Sequence, residues 1–225
     1  MIDVSIFDTR ASLMEMTANI IAESLKTGIE LRGEGFAALS GGSTPIPAYE
    51  ALSTMPLDWG RVTFLLVDER FVSPTDPASN EGMLRRALAP ALAAGARLLP
   101  MYAEGATLSE AADRADALYA DKPIDIALLG MGSDGHVASW FKQSPEIASA
   151  LDLNNQRSVI AVTAPGAAGS PQRLTLTLSA IARAHLPVLL ITGYEKRRIL
   201  DEEAFLLPVG ALRYLRSRTV ALWAP

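Results

Sequence analysis

The sequence predicts an α/β protein, a three-layer α/β/α sandwich on a mainly parallel sheet that leaves room for a mixed strand order. Three observations carry this. Short apolar runs alternate with helical patterns along most of the chain, as strands and crossover helices do in parallel sheets covered on both faces. A strand, a glycine-rich or charged turn and a helix recur in that order at three places. The composition, 49% hydrophobic and 20% charged over 225 residues, is that of a globular chain able to bury a large core. One domain over residues 1–225 is expected, since no internal repeat or linker interrupts the pattern.

The elements follow in order. From Ala11 to about Leu31, Leu13, Met16, Ile20 and Ile21 fall at helical spacing, with Asp8 or Thr9 as the cap. "GFAALSGG" is a short strand broken by glycines, and "STPIPAYEAL" opens a helix with Thr44 as N-cap and Pro45 in the first turn. "RVTFLLVDER" reads as a buried strand ending in charge, followed by a proline-rich loop and a helix from Asn80 to about Ala94. Helical patterns cover 107–120 and 194–206, and "IDIALLGMGSDG" repeats the strand-turn grammar. "SVIAVTAP", "RLTLTL", "LPVLLITG" and "TVALW" are further strands. "RLTLTLSAI" alternates strictly, as a half-buried or edge strand does, and admits a mixed sheet. "TAPGAAGSPQ", 163–172, is a long surface loop.

Composition also excludes chemistry. Without cysteine there is no disulfide framework, thiolate zinc site, iron-sulfur cluster or cysteine nucleophile. "MIDVSIFDTR" lacks a basic region leading into an apolar stretch, and no segment approaches the roughly 20 apolar residues of a membrane span; a cytoplasmic protein with no membrane partner is expected. A net charge of −5 gives no field for nucleic acid, though clustered arginines can hold a small anion.

In open α/β sheets, ligands settle beyond the carboxyl ends of the strands, and three such stretches are chemically loaded. In "SGGSTP", Gly41 and Gly42 let backbone approach an anion, and Ser43 and Thr44 add hydroxyl donors before a helix start. The alternative is a plain capped turn; the G-x-x-x-x-G-K-[ST] pattern of nucleotide-binding loops is absent. In "VDER", Asp68, Glu69 and Arg70 leave a strand together; they are solvated charges, an ion-pair corner, which is the commoner case, or a source of fixed positive charge, at Arg70, for a developing oxyanion or a sugar phosphate. In "LLGMGSDGHVASWF", Gly130, Gly132 and Gly135 match G-x-G-x-x-G, yet Pro145 interrupts any helix from His136 and the next strand ends without an acid, so a dinucleotide site is not inferred.

Those glycines instead present Asp134 and His136 at the crevice mouth. An imidazole titrates near neutral pH, and a neighbouring carboxylate orients it, the arrangement of a general base; the plain alternative is a histidine capping a carbonyl. Ser133 fails the G-x-S-x-G pattern of acyl-enzyme nucleophiles. Asp134, His136 and Asp68 or Glu69 lack metal-ligand spacing. His185 has no such company and reads as structural. Arg173, opening "RLTLTL", and Lys196, in "TGYEK", are surface cations singly, and together with "SGGSTP" can complete a phosphate pocket.

Taken in order, "SGGSTP", "VDER" with the later "SN", "LGMGSDGHVAS", "RLTLTL" and "TGYEK" resemble the motif series of the 6-phosphogluconolactonase family, from about residue 36 to 200. The resemblance implies cofactor-free and metal-free hydrolysis of a phosphosugar lactone. It implies that His136 activates water with Asp134 beside it, and that Arg70 steadies negative charge. Gly41, Gly42, Ser43, Thr44, Arg173 and Lys196 would hold the phosphosugar, with Asp68 and Gly132 also counted in the substrate-binding set. A monomer or small homo-oligomer fits.

Trp140-Phe141-Lys142 replaces the family's frequent Leu-Phe-Pro, Ser133 replaces a common proline or acid, and "TVALWAP" lacks an Asp that often follows the tryptophan. The rival in the same superfamily, glucosamine-6-phosphate deaminase, resembles this chain in its glycine loop and Asp-Gly-His. It has Asp-Glu-Tyr where this chain has Asp68-Glu69-Arg70, and a glutamate soon after the histidine; here the nearest downstream acid is Glu146. A non-catalytic sugar-phosphate sensor on the same scaffold is the other alternative.

Overall fold

A computed structural model describes residues 2–225. Its strands are β1 (Asp3–Ile6), β2 (Gly35–Leu39), β3 (Val62–Leu66), β4 (Asp68–Arg70), β5 (Arg97–Leu98), β6 (Ile126–Gly130), β7 (Val159–Thr163), β8 (Gln172–Leu176), β9 (Leu186–Thr192) and β10 (Val220–Ala224). The α-helices are α1 (Arg10–Arg32), α2 (Ile46–Ser53), α3 (Asn80–Ala87), α4 (Ala89–Ala93), α5 (Leu108–Tyr119), α6 (Ile147–Ala150), α7 (Leu178–Ala182) and α8 (Tyr194–Arg198). Seven strands form one sheet in the order β1-β10-β9-β6-β2-β3-β5, and every pairing in it is parallel. Strands β4, β8 and β7 form a separate antiparallel sheet. The mainly parallel α/β sandwich is therefore correct, but "RLTLTL" neither mixes the main sheet nor lies at an edge: it is the buried middle strand of a small second sheet.

Local chemistry explains the elements. Thr9 caps α1 by accepting the Ser12 N–H at 3.1 Å, and Gly33 ends it in the left-handed region at φ 84°. Helix α1 buries Leu13, Ile21 and Leu25, while β2 and β3 are buried throughout. The apolar runs lack alternation because parallel strands are covered on both faces.

Four boundaries differ from the sequence reading. Helix α2 begins at Ile46, with Pro45 as its cap residue and no bond from Thr44; Pro45 supplies the carbonyl that receives the Ala48 and Tyr49 N–H groups. The helix read from Asn80 to Ala94 breaks at Leu88, because Pro90 has no N–H to donate to the carbonyl four residues back, at Arg86, and is tolerated only in the first turn of the new helix α4. The stretch 194–206 divides into α8, a π-turn Ile199–Glu203 and a 3-10 turn Ala204–Leu206. "VDER" is not a strand end: the Val67 N–H donates to Leu39 O at 3.0 Å, and Val67 O accepts from Leu176 N at 2.9 Å, so this residue transfers the chain from one sheet to the other and DER becomes β4.

Among the described residues, no helix is long and apolar enough to cross a membrane.

Candidate active site

The chain passes from β2 to β3 on one side and later returns to place β6 on the other. This reversal of winding opens a crevice at the carboxyl ends of β2 and β6, the place where open α/β sheets bind ligands. A cleft of about 180 Å³ lies there. It is bordered by Gly41, Gly42 and Thr44 after β2, by Gly132 and His136 after β6, by Asp68 and Arg70 of β4, by Arg173 of β8 and by Lys196 of α8. Two residues of the expected set stand apart: Ser43 is exposed and does not border the cleft, and Asp134 sits behind His136 rather than on the cleft wall.

The loop carrying the histidine is closed on itself. The Gly132 N–H donates to His136 O at 2.9 Å and Gly135 N–H to Gly132 O at 3.1 Å, with Met131 bridged to Val137. Asp134 Oδ1 lies 2.5 Å from His136 Nδ1 and also accepts the His136 N–H at 3.2 Å. That contact fixes the ring and leaves Nε2 as the nitrogen free to take a proton. Partial burial opposes ionisation of Asp134, but the field and hydrogen bonds of His136 outweigh it and hold the carboxyl below its ordinary value. Gly132 is required here: a Cβ would lie 2.3 Å from the imidazole and 2.6 Å from the Asp134 carboxylate. From the far side, Leu207 packs on Gly135 and the Val209 N–H donates to Gly135 O at 3.0 Å. The C-terminal segment thus braces the loop.

The opposite wall is cationic and buried. Arg173 is 3% exposed. It donates to Ala168 O at 2.5 Å and Ser170 O at 2.7 Å, and lies 3.8 Å from Asp68. Burial works against its charge and, with Asp68 opposing, holds its pKa below the usual arginine value. Arg70 donates through Nη1 to Ala78 O at 2.6 Å, while its buried Nε has no partner. The two arginines face each other directly across the β4–β8 ladder. Like charges in that register repel, so an anion bound between them is favoured. The segment 163–172, read as a long surface loop, has its ends in β7 and β8 and is tied to this wall by the Arg173 bonds to Ala168 and Ser170. Lys196 is half-buried, and burial lowers its pKa.

Two residues of the site escaped the sequence reading, Asn80 on the cleft wall and Phe141 packed behind it. Phe141 stacks on the His136 ring at a centroid distance of 4.2 Å, and the Arg173 guanidinium lies 5.7 Å from the same phenyl ring; the aromatic pair at 140–141 was visible, but nothing local tied it to the imidazole. Asn80 was visible only as the second residue of "SN". Beside them Ala138 adopts φ 50° at the cleft edge, a conformation costly for a non-glycine residue and typical of functional sites. Among the described residues, no group of three His, Cys, Asp or Glu side chains is placed to hold a metal ion.

A fold and crevice of this kind define a family. Residues 8–210 match the profile described as glucosamine-6-phosphate isomerases/6-phosphogluconolactonase, and the chain belongs to that family. Within it, the similarity runs to proteins named 6-phosphogluconolactonase. That of Caulobacter vibrioides is 41% identical, over 99% of this chain and 97% of its own, and that of Rhizobium meliloti is 38% identical over 99% of each. The crystal structure of a 6-phosphogluconolactonase from Shewanella baltica superimposes with a TM-score of 0.92 at 30% identity, covering 100% of this chain and 98% of the other. The resemblance carried by the motif series is therefore correct.

Proposed function

We propose that this chain hydrolyses 6-phosphogluconolactone to 6-phosphogluconate, the lactone-opening step of the pentose phosphate pathway, with His136 activating water and without a metal. Its full-length relatives, named 6-phosphogluconolactonase, support lactone hydrolysis; the finer mechanism rests on site geometry. The observation that carries it is the His136 ring, its Nδ1 fixed by Asp134 at 2.5 Å, at the rim of a cleft whose other wall is cationic. The phosphate binds among the cations, with the glycine turn and Thr44 offering further donors. Water attacks the lactone carbonyl as its proton passes to His136 Nε2. The oxyanion of the tetrahedral intermediate faces fixed donors and positive charge. Its collapse breaks the bond to the ring oxygen, which takes the proton back from His136 and leaves as a hydroxyl. A lactone is reactive enough that base, clamp and orientation suffice. A cytoplasmic setting belongs to the same reading.

Glu146 weighs against the deaminase alternative. It accepts from Ser144 Oγ at 2.8 Å and from the Thr163 N–H at 3.0 Å, and does not border the cleft; it is not placed to assist ring opening. The direct test is to mix purified protein with freshly generated lactone and EDTA and follow acid release. Fast release is expected. Tight binding of 6-phosphogluconate without turnover would make the protein a sensor, and loss of activity in EDTA would bring a metal into the scheme.

A further inference from the structure

Behind the cationic wall lies a carboxylate that the scheme above does not use. Glu69 has no exposed surface and cannot meet a ligand. Its Oε1 accepts the N–H groups of Arg70 at 2.6 Å and Asn80 at 2.8 Å; its Oε2 accepts the Glu81 N–H at 2.7 Å and Ser79 Oγ at 3.0 Å. The N–H groups of Asn80 and Glu81 open α3 and have no partner within the helix. They are satisfied from a different element, the strand that also carries Asp68 and Arg70. Glu69 therefore clamps the start of α3 onto β4.

What the clamp fixes is Asn80. Its Nδ2 donates to Asp68 O at 2.9 Å and reaches Asp68 Oδ1 at 3.3 Å. Its Oδ1 fills the space left by the missing side chain of Gly41, where a Cβ would come within 1.9 Å. One buried amide thus spaces the glycine turn after β2 from the charged strand β4. Asp68 carries the constraint further, because it accepts Ser139 Oγ at 2.6 Å, three residues beyond His136.

We propose that Glu69 is a positioning residue for lactone hydrolysis, setting the width of the cleft through Asn80 and the seat of Arg70 without touching substrate. The proposal rests on the hydrolase reading above. Glu69→Gln preserves shape but keeps one acceptor oxygen; its amide NH₂ then faces N–H donors, so at least one N–H of the clamp loses its partner. The start of α3 relaxes, and Asn80 shifts against Gly41.

The test compares steady-state kinetics per folded molecule and thermal unfolding for wild type, Glu69→Gln, Ser79→Ala and Leu25→Ala. Misplacement of about 1 Å is enough to cost roughly 10²-fold, so Glu69→Gln is expected to lower kcat/KM by about that factor, with KM for the phosphorylated lactone rising. Ser79→Ala, which removes one of the four donors, is expected to lose about fivefold in the same direction. Leu25→Ala, in the core under α1, should reduce Tm while KM and kcat stay at wild-type values. The proposal is overturned if Glu69→Gln, or Ser79→Ala should the former not fold, retains wild-type KM and kcat while only Tm falls. A wild-type protein that does not hydrolyse the lactone overturns the functional reading, and the proposal with it.

Discussion

The two walls of the cleft are built on opposite plans. Asp134 and His136 ride on a turn, with side chains 55% and 29% exposed, and their main tie is to each other. Asp68, Asn80 and Arg173 are 7%, 3% and 3% exposed and cross-linked through the small sheet, α3 and the loop before β8. Under the proposed mechanism, the difference follows from what each wall has to do. A base that trades protons with water has to meet water; charges that hold an anion act more strongly when water is excluded, but a buried charge is tolerable only where its partners are fixed. On that reading, exposure is greater on the proton-transfer side.

The largest expected effect falls on the exposed wall. His136→Ala should lower kcat by about 10²–10⁴, with KM nearly unchanged and the circular dichroism spectrum intact, because the ring is not part of the core. Near-normal turnover would remove His136 from the mechanism. Asp134→Asn keeps an oxygen for Nδ1 but loses the charge that favours imidazolium, and kcat should fall about 10²-fold. An Asp134→Asn variant as active as wild type would reduce the dyad to a solitary base.

The same contrast explains how much could be read in advance. The exposed wall is local: glycines, Asp134 and His136 lie within one short stretch, and the types alone suggest the chemistry. The parallel sheet was legible too, since doubly covered strands write themselves as continuous apolar runs. The buried wall was not. "RVTFLLVDER" reads as one strand, and only the pairing of Val67 with both Leu39 and Leu176 divides it. Arg70 opposite Arg173 is a like-charge pairing that no local pattern predicts. Phe141 follows the histidine closely in sequence but acquires its role by folding back on it. Arg173 and Lys196 read singly as surface cations, and only in company with "SGGSTP" and through the family resemblance do they join the site.

Phe141 is where the walls meet, stacked on His136 and facing Arg173. Phe141→Leu keeps apolar bulk and removes the flat ring, so the imidazole loses its shelf while Asp134 still holds Nδ1. A loss of about tenfold in kcat is expected, with Phe141→Tyr close to wild type. If Leu and Tyr behave alike, bulk rather than ring geometry matters, and the two walls are less tightly joined than the stacking implies.

The smallest effect belongs to Lys196, half-buried between the two plans. Burial penalises its ammonium, so its pKa lies below that of a free lysine. Below that pKa the charge is present and attracts phosphate; as pH rises through it, the charge is lost. Affinity for 6-phosphogluconate should therefore drop a few-fold as pH rises, at a lower pH than an ordinary lysine would allow. Stability runs the other way. The unfolded chain, with its higher lysine pKa, binds more protons across this window, so this group makes folding more favourable as pH climbs. Falling affinity with stability unharmed separates titration of Lys196 from alkaline unfolding, in which both fall together. Calorimetry of 6-phosphogluconate binding across this range checks it, with Lys196→Met expected to bind more weakly and to lose the pH dependence; a variant that keeps the wild-type slope would remove Lys196 from the phosphate wall.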